Sequence, residues 1–157
     1  MKPIAYIFAV VLGLTLMQSP APADDRSPVS LSKPQSPSLE AGRKAVEAKT
    51  FKSALGHLAR AAEETPDDAD VHNLLGYSLR KVGQFEKAME HYRRALSIDP
   101  QHRGAHEYMG ELYLEMGQPA NAENQLQALQ KACPWFGRCE EYDDLKEAIE
   151  KYKAKRN

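Results

Sequence analysis

The chain has 157 residues, 42% of them apolar, with a single Trp and a formal charge of -1. That length holds one domain with a modest core, and the composition suits helix packing better than an aromatic-rich β core. The charge becomes only -2 if residues 1–23, whose one charged side chain is Lys2, are removed, which excludes a strong global field for nucleic acid or an anionic membrane.

The chain opens with Lys2, an apolar run from Ile4 to Met17, and Ala21-Pro22-Ala23 before Asp24. These are the three parts of an export signal, with cleavage expected after Ala23 and a periplasmic or secreted product. The run of fourteen residues is shorter than the roughly 20 needed to span a bilayer. A buried N-terminal helix is the rival reading, but Gly13, Ser19, Pro20 and Pro22 leave it no amphipathic pattern with which to dock. Residues 24–35, rich in Ser and Pro, read as a flexible, disordered spacer.

From Pro37 onward apolar residues recur at helical spacing, and the pattern repeats every 34 residues. Gly42, Gly76 and Gly110 are in register, as are Ala54, Ala88 and Ala122, all small enough for two helices to cross closely. Pro66, Pro100 and Pro134 end each copy, because proline lacks an N–H and disfavours helix in the residue before it. Three hairpins are expected within residues 36–136, at about 35–68, 69–102 and 103–136. Their helices are placed at Pro37–Ala48, Phe51–Glu64, Asp68–Lys81, Gln84–Ser97, Arg103–Met116 and Pro119–Lys131, with Gly76 opposite Ala88 at one crossing.

The central copy carries Leu75-Gly76, Leu79, Gly83, Phe85, Ala88, Tyr92, Ala95 and Pro100, and so resembles the tetratricopeptide repeat. The third supplies Met109-Gly110, Tyr113, Gly117, Ala122, Leu126 and Leu129, with Pro119 where the family has an aromatic; there proline fits a first helical turn. The first keeps Phe51, Ala54, Leu58, Ala61 and Pro66 but has a weak first helix, as terminal repeats do. The resemblance implies an all-α, right-handed solenoid of three helix hairpins. It also implies a scaffold or adaptor for another protein or peptide, without enzymatic activity or cofactor.

Cys133 and Cys139 are the only cysteines, separated by five residues that include Pro134 and Gly137. In an oxidising compartment they are expected to pair structurally, with redox or metal chemistry and free thiols as the alternatives. Beyond them, Tyr142, Leu145, Ile149 and Tyr152 form the apolar stripe of a capping helix within 137–155. The run from Cys139 to Ile149 also looks like a group of small exported bacterial repeat proteins. Lys151, Lys153, Lys155 and Arg156 accompany Glu147 and Glu150 on that helix, and read as favourable charge at a helix C-terminus and not as a nucleic-acid site.

The resemblance further implies a concave groove lined by the first helices. It would present Leu39, Arg43, Val46 and Glu47; Asn73, Leu74, Tyr77, Arg80 and Lys81; and Glu107, Tyr108, Glu111, Leu114 and Glu115. Tyr77 and Tyr108 are either partner contacts or packing across adjacent helices. A clamp for a C-terminal carboxylate, one ligand mode of the family, is disfavoured: its positions hold Leu39, Arg43, Leu74, Gly104 and Tyr108, of which only Arg43 is basic. An apolar face left by the short stack could instead support self-association.

His102 and His106 are four apart but straddle a helix start, so a metal site is not expected. His72 and His106 stand at the family's bulky packing position, while His57 and His91 are expected in solvent. No nucleophile elbow, phosphate loop or HExxH motif occurs.

Overall fold

The computed structural model describes residues 36–134 and 138–156. The export signal, the cleavage point after Ala23, the spacer at 24–35 and the loop tip Trp135-Phe136-Gly137 lie outside the described residues. Among the described residues there are seven helices and no strand: α1 (Pro37–Glu47), α2 (Phe51–Glu64), α3 (Ala69–Lys81), α4 (Phe85–Ile98), α5 (Arg103–Glu115), α6 (Pro119–Ala132) and α7 (Glu140–Ala154). None of them is long and apolar enough to cross a membrane.

Side-chain caps set the first helix of each hairpin. Ser36 Oγ accepts the Leu39 N–H at 3.2 Å, Asp68 accepts from Asp70 and Val71, and His102 Nδ1 accepts the Ala105 N–H at 3.1 Å. Asp68 and Gln84, expected inside their helices, stand just outside as caps. Two hydroxyls, those of Ser36 and Ser38, also donate to the Glu64 carboxylate and tie the start of α1 to the end of α2.

The three inner corners share one geometry. Thr50, Gln84 and Gln118 each donate a backbone N–H five residues back, to Ala45, Leu79 and Tyr113 at 2.8 to 2.9 Å. The residue before each donor is in the left-handed region: Gly83 at φ 79°, Gly117 at 75° and Lys49 at 56°. This 6→1 bond with a left-handed residue satisfies carbonyls at the helix end.

The hairpins close on the small residues, with one correction. A Cβ on Gly76 would lie 2.6 Å from the Tyr92 ring, and one on Gly42 would lie 2.5 Å from Leu58. Gly76 therefore makes room for Tyr92, one turn beyond Ala88, although Ala88 is itself fully buried. In the last hairpin the residue pressed against Gly110 is Leu145 of α7, at 2.6 Å from the same notional Cβ. The capping helix thus seals α5 directly, and its Leu145 and Ile149 join Leu114, Ala122 and Leu129 in one buried cluster.

Histidines link consecutive repeats. His72 Nε2 lies 2.9 Å from the Pro66 carbonyl and His106 Nε2 lies 3.0 Å from that of Pro100, so each ring donates to the end of the preceding hairpin. His91, expected in solvent, is half-buried, with Nδ1 3.1 Å from His72 Nδ1; His57 is exposed. Burial and then His72 push the His91 pKa down. The sulfurs of Cys133 and Cys139 lie at disulfide distance, with Cα atoms 5.8 Å apart.

Candidate functional site

Stacking brings the first helices side by side, with α3 touching both α1 and α5. Residues of neighbouring first helices therefore meet, although they are 31 to 35 apart in sequence. The Tyr77 ring on α3 lies 4.8 Å from the Tyr108 ring on α5, and Phe51 at the start of α2 approaches Tyr77 edge-on at 5.8 Å. Both tyrosines are half-buried, so they pack across adjacent helices while keeping part of each ring open. Phe51 is the member of this row that sequence reasoning missed. Its counterpart Phe85 is partly buried against the core beside Met89 and Tyr92, and nothing in the repeat pattern separates the two.

Arg80 holds the row together. Its side chain is 2% exposed and forms ion pairs with Glu111 at 2.5 Å and Glu115 at 3.1 Å. The guanidinium also lies 5.6 and 5.8 Å from the Tyr77 and Tyr108 ring centres, within cation–π reach. Burial alone would lower its pKa, but Glu111, Tyr92 and Glu115 more than offset this. Arg80 is therefore a fixed strut between α3 and α5 and not a free positive charge. Lys81 is exposed, with its ammonium 5.2 Å from the Tyr77 ring.

Arg43 is engaged elsewhere. It meets Asp70 at 2.6 Å, and Asp70 in turn accepts from His102 at 2.9 Å, joining α1, α3 and the cap of α5. The His102 hydrogen bond, with help from Arg43, holds the Asp70 carboxyl down at about 2. His102 and His106 are thus directed to different partners, Asp70 for one and Pro100 and Gln125 for the other.

Glu107 is the buried acid of this face. It is 8% exposed, and burial, then the carboxylates of Glu111, Asp144 and Glu141, push it up to about 8. Burial and Glu107 also push the neighbouring Tyr108 up to about 12. Asn73, at the equivalent place one repeat earlier, is buried with its Oδ1 unpartnered. Beyond this cluster α3, α5 and α7 leave a shallow cleft of about 220 Å³ lined by Arg80, Lys81, Glu111, Leu114, Glu115 and Ala148. Among the described residues no group of three or more metal-ligating side chains converges.

Residues 69–102 match the family model of the tetratricopeptide repeat. No curated protein matches the sequence. Solved structures share the fold: the type III secretion translocator chaperone SycD of Yersinia enterocolitica is 18% identical with a TM-score of 0.68, over 76% of this chain and 83% of that one. The tetratricopeptide domain of Sgt2 from Aspergillus fumigatus is 22% identical with a TM-score of 0.65, over 76% of each chain. The first such module of Spaghetti (RPAP3), solved with the HSP90 peptide SRMEEVD, is 14% identical with a TM-score of 0.64, over 74% of this chain and 90% of that one.

Proposed function

Starting from a helical stack of tetratricopeptide-repeat type, we propose that the chain is an exported scaffold or adaptor that holds another protein on its first-helix face. The observation that carries this is the row of Phe51, Tyr77 and Tyr108, partly open and braced by a buried arginine. Half-exposed aromatic rings on a rigid support contribute contact area at low entropy cost. The Sgt2 and SycD likenesses and the peptide-bound Spaghetti module support a protein or peptide partner. A carboxylate clamp is not the mode we assign, because Arg43, its one basic residue here, is paired with Asp70.

The chain takes no catalytic part in this reading. Capture from an envelope fraction tests it: a partner retained by the wild type should be lost from a Tyr77→Ala, Tyr108→Ala variant that still folds. Undiminished capture overturns the groove. Export is tested by the mass of the processed protein, which should begin at Asp24.

We assign Cys133 and Cys139 a structural bridge, since they hold the end of α6 to the start of α7. A reduction potential below roughly -300 mV supports the bridge. A more oxidising value favours the rival thiol-disulfide or metal-handling role.

A further inference from the structure

His72 on α3 and His91 on α4 meet end to end. Their Nδ1 atoms are 3.1 Å apart and their ring centres 5.4 Å apart, with the planes within 23°. At that nitrogen distance the centres reach such a separation only when the line between the Nδ1 atoms runs through both rings. Each nitrogen therefore aims its lone pair or its proton straight at the other, as a linear hydrogen bond requires.

The tautomers follow from the other contacts. A carbonyl oxygen only accepts, so His72 Nε2, 2.9 Å from the Pro66 carbonyl, carries a proton. In the neutral pair His72 Nδ1 is then the acceptor and His91 Nδ1 the donor, which leaves Nε2 of the half-buried His91 to take a first proton from solvent. A second proton has only His72 Nδ1 to go to. There it would set two N–H groups and two positive charges head-on, so the pair takes one proton and refuses another while the contact holds.

The surroundings do not relieve the second charge. His72 is 9% exposed. Burial and then His72 push the His91 pKa down, and Glu90, beside it on α4, pulls the other way; among the described residues no charged group of α2 or α5 acts on it. The acids before His72 are engaged, Asp68 as the cap of α3 and Asp67 with Arg94 at 2.5 Å. The third hairpin differs at this point. His106 Nε2 lies 3.0 Å from the Pro100 carbonyl, but its Nδ1 faces the Gln125 carboxamide at 2.7 Å. A carboxamide presents its oxygen or, after a half-turn, its NH2, and so matches His106 with or without a proton on Nδ1.

We propose that the His72–His91 contact is an acid-sensitive latch, which holds the start of α3 to α4 and opens on acidification while the matching His106–Gln125 contact stays closed. Opening frees the second hairpin at the end away from the Gly83 corner. The latch belongs to the fold and does not depend on what the first-helix face binds.

Urea unfolding of the wild type, His91→Gln, His72→Gln and the double variant, at pH 7.5 and 4.5, tests it. His91→Gln repeats the arrangement of the third hairpin, and the three other histidines are common to all four proteins. Below the free-histidine value of about 6.5 a proton refused by the folded chain raises the unfolding constant by up to about tenfold per pH unit. On acidification the wild-type constant should therefore rise at least about tenfold more than that of His91→Gln. In the His72→Gln background the His91→Gln step should lose most of that difference. An equal pH dependence of the step in both backgrounds would reduce His91 to a buried histidine and overturn the latch.

Imidazole nitrogen signals of the wild type give a second measurement that stands even where His72→Gln does not fold. At pH 7.5 they should report Nε2–H on His72 and Nδ1–H on His91, with coupling across the shared N–H···N bond. Two protons should then be taken up in separate steps, and the coupling should vanish at the second. The reverse tautomers, or coupling that survives the uptake of both protons, would overturn the proposal.

Discussion

At the scale of single residues the repeat tolerates two departures from comfortable chemistry. Lys49 sits at φ 56° where the other corners have Gly83 and Gly117. A left-handed non-glycine residue costs about 1 to 2 kcal/mol, and glycine costs about 0.5 to 1 kcal/mol in unfolded-state freedom. Lys49→Gly should therefore stabilise by about 0.5 kcal/mol, read as a modest rise in Tm; a lower Tm would mean that the corner is not strained. Glu107 departs in the other direction. Its carboxyl is raised from 4.5 to about 8 when folded, so the folded chain binds a proton that the unfolded chain has released. Stability from this residue is fully present below about 4.5 and is lost as pH rises to about 8. The stability difference between wild type and Glu107→Gln, followed by urea unfolding, should shift steadily in favour of the variant across that window. A flat difference would place Glu107 in contact with solvent.

At the scale of helices the close crossings carry the strongest constraints. Tyr92 is fully buried and lies where a Gly76 side chain would go. Gly76→Ala should force the ring or the helix aside and destabilise by about 1 to 3 kcal/mol, in spite of the better helix propensity of alanine. An unchanged Tm would show that α3 and α4 are less tightly packed than the distances say. The hairpins themselves were legible in the sequence because a helix crossing demands a small residue, and three such registers recur at one spacing. Which ring fills the gap was not legible: Ala88 and Tyr92 are both apolar positions of α4, and only the crossing geometry selects Tyr92. His91 escaped for a similar reason. An isolated helix leaves it in solvent, and only docking of α4 on α3 brings it to His72.

At the scale of the whole described unit, each hairpin touches its neighbours in sequence and little else, so stability should propagate along the stack one interface at a time. This explains why the candidate site was only half legible. Family position named Tyr77, Arg80, Glu107 and Tyr108, but the packing of Tyr77 on Tyr108 and the burial of Arg80 belong to the α3–α5 interface, between residues about 30 apart, and the raised carboxyl of Glu107 depends on acids of α7 as well. Local pattern carries no information on that contact. The same logic singles out α7, which closes the last interface through Leu145, fully buried against Gly110, and which follows Cys139, whose sulfur lies at disulfide distance from that of Cys133 at the end of α6. Leu145→Ala should cost about 2 to 5 kcal/mol, whereas reducing the proposed bridge, which would close a short loop, should cost about 2 kcal/mol. Both losses should appear first in α6 and α7, then in α5, and only weakly in α1 and α2, because the intervening hairpin insulates them. Hydrogen exchange of wild type, reduced wild type and Leu145→Ala provides the check. Graded loss of protection from the C-terminal end supports a stack held by nearest neighbours. Equal loss in all seven helices would show that the hairpins unfold as one cooperative body, with α7 contributing to all of them at once.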